Sequence, residues 1–444
     1  MKKKDPDTPS HRRIPALPER PVTRPFIGQI ERSYPVGRKH YSRALQGQSM
    51  KLSIRMEAGF PPDIRANLIT SINSNGFRDR NTLPFILKDK STLLCEIIPG
   101  KTGIHSFRVE FSVDGGQTWI RDNVPDAIVV IDPPQVDGLL LYTLIPNVSG
   151  TISDWKNDLE RIRNMGFNAV HLLPVTTLDS SGSPYSAHDF FSIDSVYLDP
   201  DSGKDGLQQI EEFIAEAKRL GIRLCFDIVL NHVGCNSLMV KHAPDWIVPD
   251  EDQPDGFERA GYWDENGWST WDDLVLINYE HPSEIIRSEI WAYMSDYALF
   301  WAKYAAETGG FLRFDNLHSS HPGFILSITD AIRSEFPGLA ILAEFFTDES
   351  TLLSKSLTWG LNLNLATPWN YKFVPQLREY LKMLSRLSRQ IRFYMPVSSH
   401  DSGTPEQEFG TASSTIPRYV AAALMGSGAT GITQGVEYAE KEKI

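Results

Sequence analysis

Between residues 25 and 135 apolar residues recur at every second position. Leu52, Ile54 and Met56 alternate with Lys51, Ser53 and Arg55, and Phe107, Val109, Phe111 and Val113 alternate with Ser106, Arg108, Glu110 and Ser112. That period belongs to half-buried strands, and Asp114-Gly115-Gly116 supplies a turn after the second run. Short strands separated by turn residues predict a β-sandwich over residues 25–135. Trp119 is expected in its core, with sugar stacking as the alternative. Asp132-Pro133-Pro134 reads as a stiff linker that closes the region. Residues 1–24 hold seven Lys/Arg, three acids and several prolines, and are expected to form a disordered tail.

From residue 136 the period changes. Apolar runs at 139–145, 168–173, 222–229, 311–314, 339–345, 360–366, 393–399 and 429–433 read as strands. Between them lie amphipathic stretches. Ser153 is the expected cap of a helix carrying Trp155, Leu159 and Ile162. Leu207, Ile210, Phe213, Ala217 and Leu220 form a second stripe, and Ile286, Ile290, Tyr293, Tyr297, Phe300 and Tyr304 a third. Further helices are expected at 322–336, 370–390 and 414–425. Eight strands alternating with helices predict an α/β (β/α)8 TIM barrel over residues 136–444 rather than an open sheet. A segment over 231–282, rich in Asp, Gly and Trp, interrupts the alternation as a loop insert. No Gly-x-Gly-x-x-Gly or Walker-type loop is present, which argues against nucleotide binding.

Composition narrows the chemistry. A net charge of −12 over 444 residues disfavours a nucleic-acid partner and is compatible with a neutral substrate such as a sugar. Cys95, Cys225 and Cys235 form no CxxC pair and no disulfide framework, so a cytoplasmic location is expected. No apolar run reaches the length of a membrane span, and no membrane partner is expected.

Charged residues collect where strands end, which in a barrel is the catalytic rim. Asp227 with Asn231 and His232 belongs to the third strand, Arg313 and Asp315 to the fourth, Glu344 to the fifth, and His400 and Asp401 follow the seventh. Each alone could be a structural ion pair or cap. Together on one mouth they form converging carboxylates that push each other's pKa values apart. Cleavage of a glycosidic bond with retention needs such a set, one carboxylate as nucleophile and one protonated acid.

Asp227-Ile-Val-Leu-Asn231-His232, Arg313-Phe-Asp315, Ala343-Glu344 and His400-Asp401 resemble the four short motifs of the α-amylase superfamily, glycoside hydrolase family 13, in order and on matching strands. Leu276-Ile-Asn-Tyr-Glu-His-Pro282 resembles a fifth. Arg313-Phe-Asp-Asn-Leu-His318, Leu342-Ala-Glu-Phe-Phe-Thr347 and Ser399-His-Asp-Ser-Gly-Thr-Pro405 are most similar to the glucanotransferase half of glycogen debranching enzymes. The first two also resemble maltosyltransferases that use maltose 1-phosphate. The resemblance implies a glucanotransferase acting on α-1,4-glucan or maltooligosaccharide. Asp315 would then be the nucleophile, Glu344 the acid/base and Asp401 the transition-state stabiliser. Arg313 would keep Asp315 ionised, and Asp227 and Asn231 would complete the substrate-binding motif. His232 and His400 would donate to sugar hydroxyls, Tyr185 would be a stacking platform, and His318 would touch the acceptor.

The likeness has gaps. Gly310 stands one residue off the usual Gly-x-Arg spacing. Many amylases bind calcium beside the residue matching Asn231, but 231–282 lacks a clear cluster of oxygen ligands, so no cofactor is assigned and calcium is left open. Nine residues follow Gly435, so the barrel is expected to lack its last helix and a C-terminal domain. The alternatives to a glucanotransferase are an amylase-type hydrolase, a maltose 1-phosphate maltosyltransferase, and, from another class, a non-catalytic glucan-binding relative.

Overall fold

The computed structural model describes residues 29–75, 79–264 and 267–443, so the expected tail over residues 1–24 lies outside the described residues. Eight parallel strands close into a barrel. They are β1 (Leu139–Leu144), β2 (Ala169–Leu172), β3 (Arg223–Val229), β4 (Phe311–Asp315), β5 (Ala340–Ala343), β6 (Leu363–Leu365), β7 (Phe393–Tyr394) and β8 (Ala429–Thr433), and β8 pairs back onto β1. Helices α1 (Ile152–Asn164), α2 (Gly206–Leu220), α3 (Glu284–Glu307), α4 (Pro322–Glu335), α5 (Glu349–Thr358), α6 (Val374–Leu387) and α7 (Thr415–Met425) occupy the connections. Among the described residues no helix is long and apolar enough to cross a membrane.

Strand periodicity decides what faces the barrel axis. On β4, Leu312 and Phe314 pack outward with the helices, whereas Phe311 joins the residues inside the barrel floor and Arg313 and Asp315 follow it on the inner face. On β3 the same alternation turns Cys225 and Asp227 inward and Phe226 and Ile228 outward. Gly310 precedes β4 because a Cβ there would lie 1.9 Å from the Leu224 carbonyl oxygen; the residue is steric rather than part of a motif.

Two expectations need correction, and one helix adds to them. Thr151, not Ser153, caps α1, its backbone N–H bonding the Asp154 carboxylate at 2.7 Å, while Ser153 Oγ turns to Asp199. Helix α5 was not legible because its buried face includes Ser356, which bonds Asn364 on β6 at 3.2 Å and breaks the apolar stripe. The insert is not simply a loop: His232–Gly234, Gly267–Leu276 and Arg259–Asp264 form a three-stranded antiparallel sheet.

Before the barrel, two sheets pack face to face. Ile30–Arg32, Met50–Met56, Thr92–Ile97 and Ile86–Asp89 form one; Ser42–Leu45, Ala127–Asp132, Gly103–Ser112, Arg65–Thr70 and Asn81–Pro84 order the other. Leu52, Ile54, Phe107, Val109 and Phe111 meet in the core of this sandwich, as the alternation predicted. Trp119 does not join them. It is 39 % exposed in the connection between the 103–112 strand and the short strand Ile120–Arg121.

The sandwich seats on the amino-terminal end of the barrel. Leu45 and Val136 plug its floor against Leu141, Phe311 and Leu363. Asp132 is a buried hub rather than a plain linker residue: Oδ1 takes Arg43 at 2.6 Å and Asn362 at 3.0 Å, and Oδ2 takes Arg392 at 3.0 Å. Arg43 also donates to the Gln390 and Leu361 carbonyls. A cleft of about 1690 Å³ lies between sandwich and barrel beside Tyr41, Arg333 and Leu353, away from the charged rim.

Candidate active site

Register brings the rim residues together. Asp227 on β3 is the strand partner of Arg313 on β4, so their inward side chains meet. Arg313 Nη1 donates to Asp227 Oδ2 at 2.7 Å and to Asp315 Oδ1 at 2.9 Å, and Nη2 donates to Glu344 Oε2 at 2.8 Å. One buried guanidinium therefore holds carboxylates from three neighbouring strands. These bonds fall on Oδ1 of Asp315 and Oε2 of Glu344 rather than on Oδ2 and Oε1.

Glu344 directly follows β5 and has a second donor that the sequence did not reveal. Asn316 stands at φ 41° and ψ 46°, in the left-handed region that asparagine tolerates better than most residues. This turn aims its backbone N–H at Glu344 Oε2, 2.9 Å away.

Asp227 Oδ2 collects three donors: Arg313, Tyr185 Oη at 2.9 Å and His171 Nε2 at 3.1 Å. Its Oδ1 is buried without a partner. His171 and Thr143 were also missed. They are strand partners on β2 and β1, with Thr143 Oγ1 3.3 Å from His171 Nδ1. The available signal was a histidine at an inward position of an otherwise apolar strand.

Tyr185 is embedded in this network. Its ring stacks on His400 at 5.6 Å and 8°, and its hydroxyl lies 2.7 Å from His400 Nε2. Tyr185 has one hydroxyl proton, which goes to Asp227, so His400 Nε2 carries the proton it shares with Tyr185 Oη and with Asp401 Oδ2, 3.1 Å away. Asp401 is itself largely exposed at the rim. His232 is buried with both ring nitrogens unpartnered, 6.3 Å from the Trp271 ring, which lies 5.0 Å from Tyr262. Trp268 of the same hairpin is 49 % exposed. His318 packs beside exposed Phe346, ring centres 5.6 Å apart. Asn231 Oδ1 is a buried orphan, yet among the described residues no group of three or more His, Cys, Asp or Glu side chains is arranged to hold a metal ion. The mechanism proposed for the site uses no metal.

Burial and charge set the protonation. Burial alone would raise Asp227, but Arg313 and His171 outweigh it and hold that carboxyl at about 2. Burial pushes Asp315 well above the usual carboxylate range, and Glu344, Asp227 and Asp401 add repulsion. Arg313 opposes this but is shared among three carboxylates, and the expectation that it keeps Asp315 ionised does not hold for the free site. Burial depresses His232 to about 4 and, with the Arg313 charge, His400 to about 3, so both imidazoles are neutral near pH 7 and able to donate.

Residues 133–254 match the family model described as glycogen debranching enzyme, glucanotransferase domain. The chain is 25% identical over 246 residues to the alpha-1,4-glucan:maltose-1-phosphate maltosyltransferase of Rhodospirillum rubrum, covering 50% of this chain and 33% of that protein. It is 25% identical over 309 residues to the enzyme of that name from Arcanobacterium haemolyticum, covering 66% and 42%. The match thus spans well under half the length of these relatives. In fold the chain is similar to an alpha-amylase from Lactobacillus plantarum (TM-score 0.56, 18% identity, 70% of this chain and 74% of that one). It is also similar to the Nostoc punctiforme debranching enzyme (TM-score 0.56, 17% identity, 70% and 77%).

Proposed function

As a member of the α-amylase superfamily, this chain, we propose, is a retaining enzyme that transfers α-1,4-linked glucosyl units between glucan chains. The observation that carries the reading is the single guanidinium of Arg313 joining Asp315 and Glu344 across adjacent strands at one mouth. Retention needs two carboxyl groups about 5–5.5 Å apart, close enough for one to bond the sugar while the other reaches the glycosidic oxygen.

In the first step Asp315 Oδ2 attacks the anomeric carbon as Glu344 gives its proton to the glycosidic oxygen. The C–O bond to the leaving chain breaks, and a glycosyl ester forms on Asp315. Asp315 must be ionised and Glu344 protonated, so the proton that burial favours on Asp315 in the free site has to reside on Glu344 in the complex. Neutral His232 suits donation to a sugar hydroxyl, and neutral His400, its one N–H held by Tyr185 and Asp401, adds no repelling charge near the developing oxocarbenium ion. In the second step Glu344 removes a proton from an acceptor hydroxyl, whose oxygen displaces Asp315. His318 and Phe346 flank Glu344 on its own rim and support a sugar acceptor there.

The relatives' maltose 1-phosphate activity supports a second reading in which the donor is a glycosyl phosphate. Incubation with maltoheptaose separates the cases. Transfer produces chains both longer and shorter than the substrate with no net rise in reducing ends. A steady rise in reducing ends without longer products would replace transfer by hydrolysis. Release of inorganic phosphate from maltose 1-phosphate, with no reaction of maltoheptaose alone, would favour the second reading.

A further inference from the structure

We infer that His171, oriented by Thr143, is a positioning residue that shares the charge of Asp227 and so frees Arg313 to hold Asp315 and Glu344. The inference rests on the α-glucan reading above and adds to it residues outside all four rim motifs.

The geometry is a contest for hydrogens. Arg313 Nη1 has two N–H bonds but three acceptors, Asp227 Oδ2 at 2.7 Å, Asp315 Oδ1 at 2.9 Å and Tyr185 Oη at 3.2 Å. Whatever else donates to Asp227 relieves that competition. His171 does so from β2, through Nε2 at 3.1 Å, inside the barrel where a hydrogen bond to a carboxylate is least diluted by solvent. Ionised Asp227 has no proton to give, so Nε2 must carry one. Thr143 Oγ1, 3.3 Å from Nδ1, fills the other nitrogen as donor and fixes that tautomer. Thr143, His171, Arg313, Glu344 and His400 also line one small cavity of about 30 Å³ beneath the mouth, so the device borders the reacting groups directly.

Asp227 is faced by Arg313 from β4, His171 from β2 and Tyr185 from the loop after β2, with His400, Asp315, Asp401, Tyr297 and Cys225 nearby. His171 is faced in addition by His400, ring centres 6.2 Å apart, and by Asp401. Asp315 is faced by Arg313, Asp227, Glu344 and Asp401, with Tyr185 and Tyr297 nearby. Without His171, Asp227 draws more of Arg313 and repels Asp315 less screened. Asp315 then becomes harder to ionise.

The test compares kcat/KM against pH, and kcat against KM, for wild type, His171→Phe, His171→Gln and Thr143→Val with maltoheptaose. Histidine-selective ¹⁵N NMR runs alongside to read the tautomer. His171→Phe is expected to lower kcat about 10- to 100-fold, as small misplacements at a reacting centre do, with KM little changed and the acid limb moved to higher pH. His171→Gln, whose amide can still donate, should recover part of both. Thr143→Val should move the limb the same way by less and release the tautomer. A purely structural role would lower the yield of folded enzyme and leave the limb in place, and that result overturns the inference. So does an Nε2 without a proton in wild type. If His171→Phe fails to fold, the other two variants decide. If wild type turns over no α-glucan, the parent reading falls, and the ¹⁵N shift alone decides whether His171 is held as the donor to Asp227.

Discussion

Asn316 and Glu344 are joined by a hydrogen bond, N–H to Oε2 at 2.9 Å, that exists because Asn316 leaves β4 in a left-handed conformation. The residue after the proposed nucleophile thereby orients the proposed acid/base. Asn316→Gly should keep this turn and most activity. Asn316→Val, whose branched side chain resists positive φ, should cost about 1–3 kcal/mol of stability and lower kcat. Steady-state kinetics beside thermal melts would separate the two effects.

Asp315→Asn should abolish nearly all turnover while leaving glucan binding measurable, since a covalent step is lost rather than ground-state contacts. The variant should also melt higher at pH 7. The folded pKa of Asp315 lies above its unfolded value, so the native state binds the extra proton, and the carboxylate destabilises the fold as pH rises from the ordinary carboxylate range toward and past the folded pKa. The gain should disappear well below the ordinary carboxylate pKa, where both states are protonated. Equal melting temperatures at pH 7 would refute the assigned direction.

Acid should weaken the fold in two stages. His232 and His400 titrate lower in the folded state than in the unfolded state, at about 4 and about 3, so the unfolded chain binds more protons and stability falls as pH drops below about 6.5. Asp227, held at about 2, adds stability that is full above its ordinary pKa and lost as pH falls toward 2. Urea denaturation from pH 7 to 3 should show His400→Gln with a flatter upper stage. Asp227→Asn should be less stable at pH 7 by about 1–3 kcal/mol, because it removes the charge that accepts from Arg313, Tyr185 and His171 while Arg313 keeps Asp315 and Glu344.

At the sandwich interface, Asp132→Ala leaves buried Arg43 and partly buried Arg392 without their shared carboxylate. A loss of about 3–5 kcal/mol is expected, with faster proteolytic cleavage near residues 133–138 while kcat of the folded enzyme stays close to wild type. Unchanged cleavage would show that Leu45 and Val136 alone hold the sandwich in place.

His318→Ala should lower transfer more than hydrolysis, because water needs no seat beside Phe346 and a sugar acceptor does. The measured quantity is the ratio of longer products to new reducing ends from maltoheptaose. A constant ratio would remove His318 from the acceptor side.

Much of this architecture was legible in the chain because it rests on local periods. Eight apolar runs spaced by amphipathic helices specify a barrel, and alternation within β4 already put Arg313 and Asp315 on the face opposite Leu312 and Phe314. The order of the rim motifs likewise revealed which strand ends carry charge. What the sequence could not decide were relations between strands. That Asp227 takes its donors on one oxygen depends on the register of β2, β3 and β4. The role of His171 was hidden because a histidine in an apolar strand has no meaning until its neighbour across the ladder is known. Asn316 needed its backbone conformation, and Asp132 needed the barrel floor beneath the sandwich. Protonation, too, is a tertiary property: Asp227 and Asp315 are the same residue type with pKa values pushed in opposite directions by burial and by the sharing of Arg313.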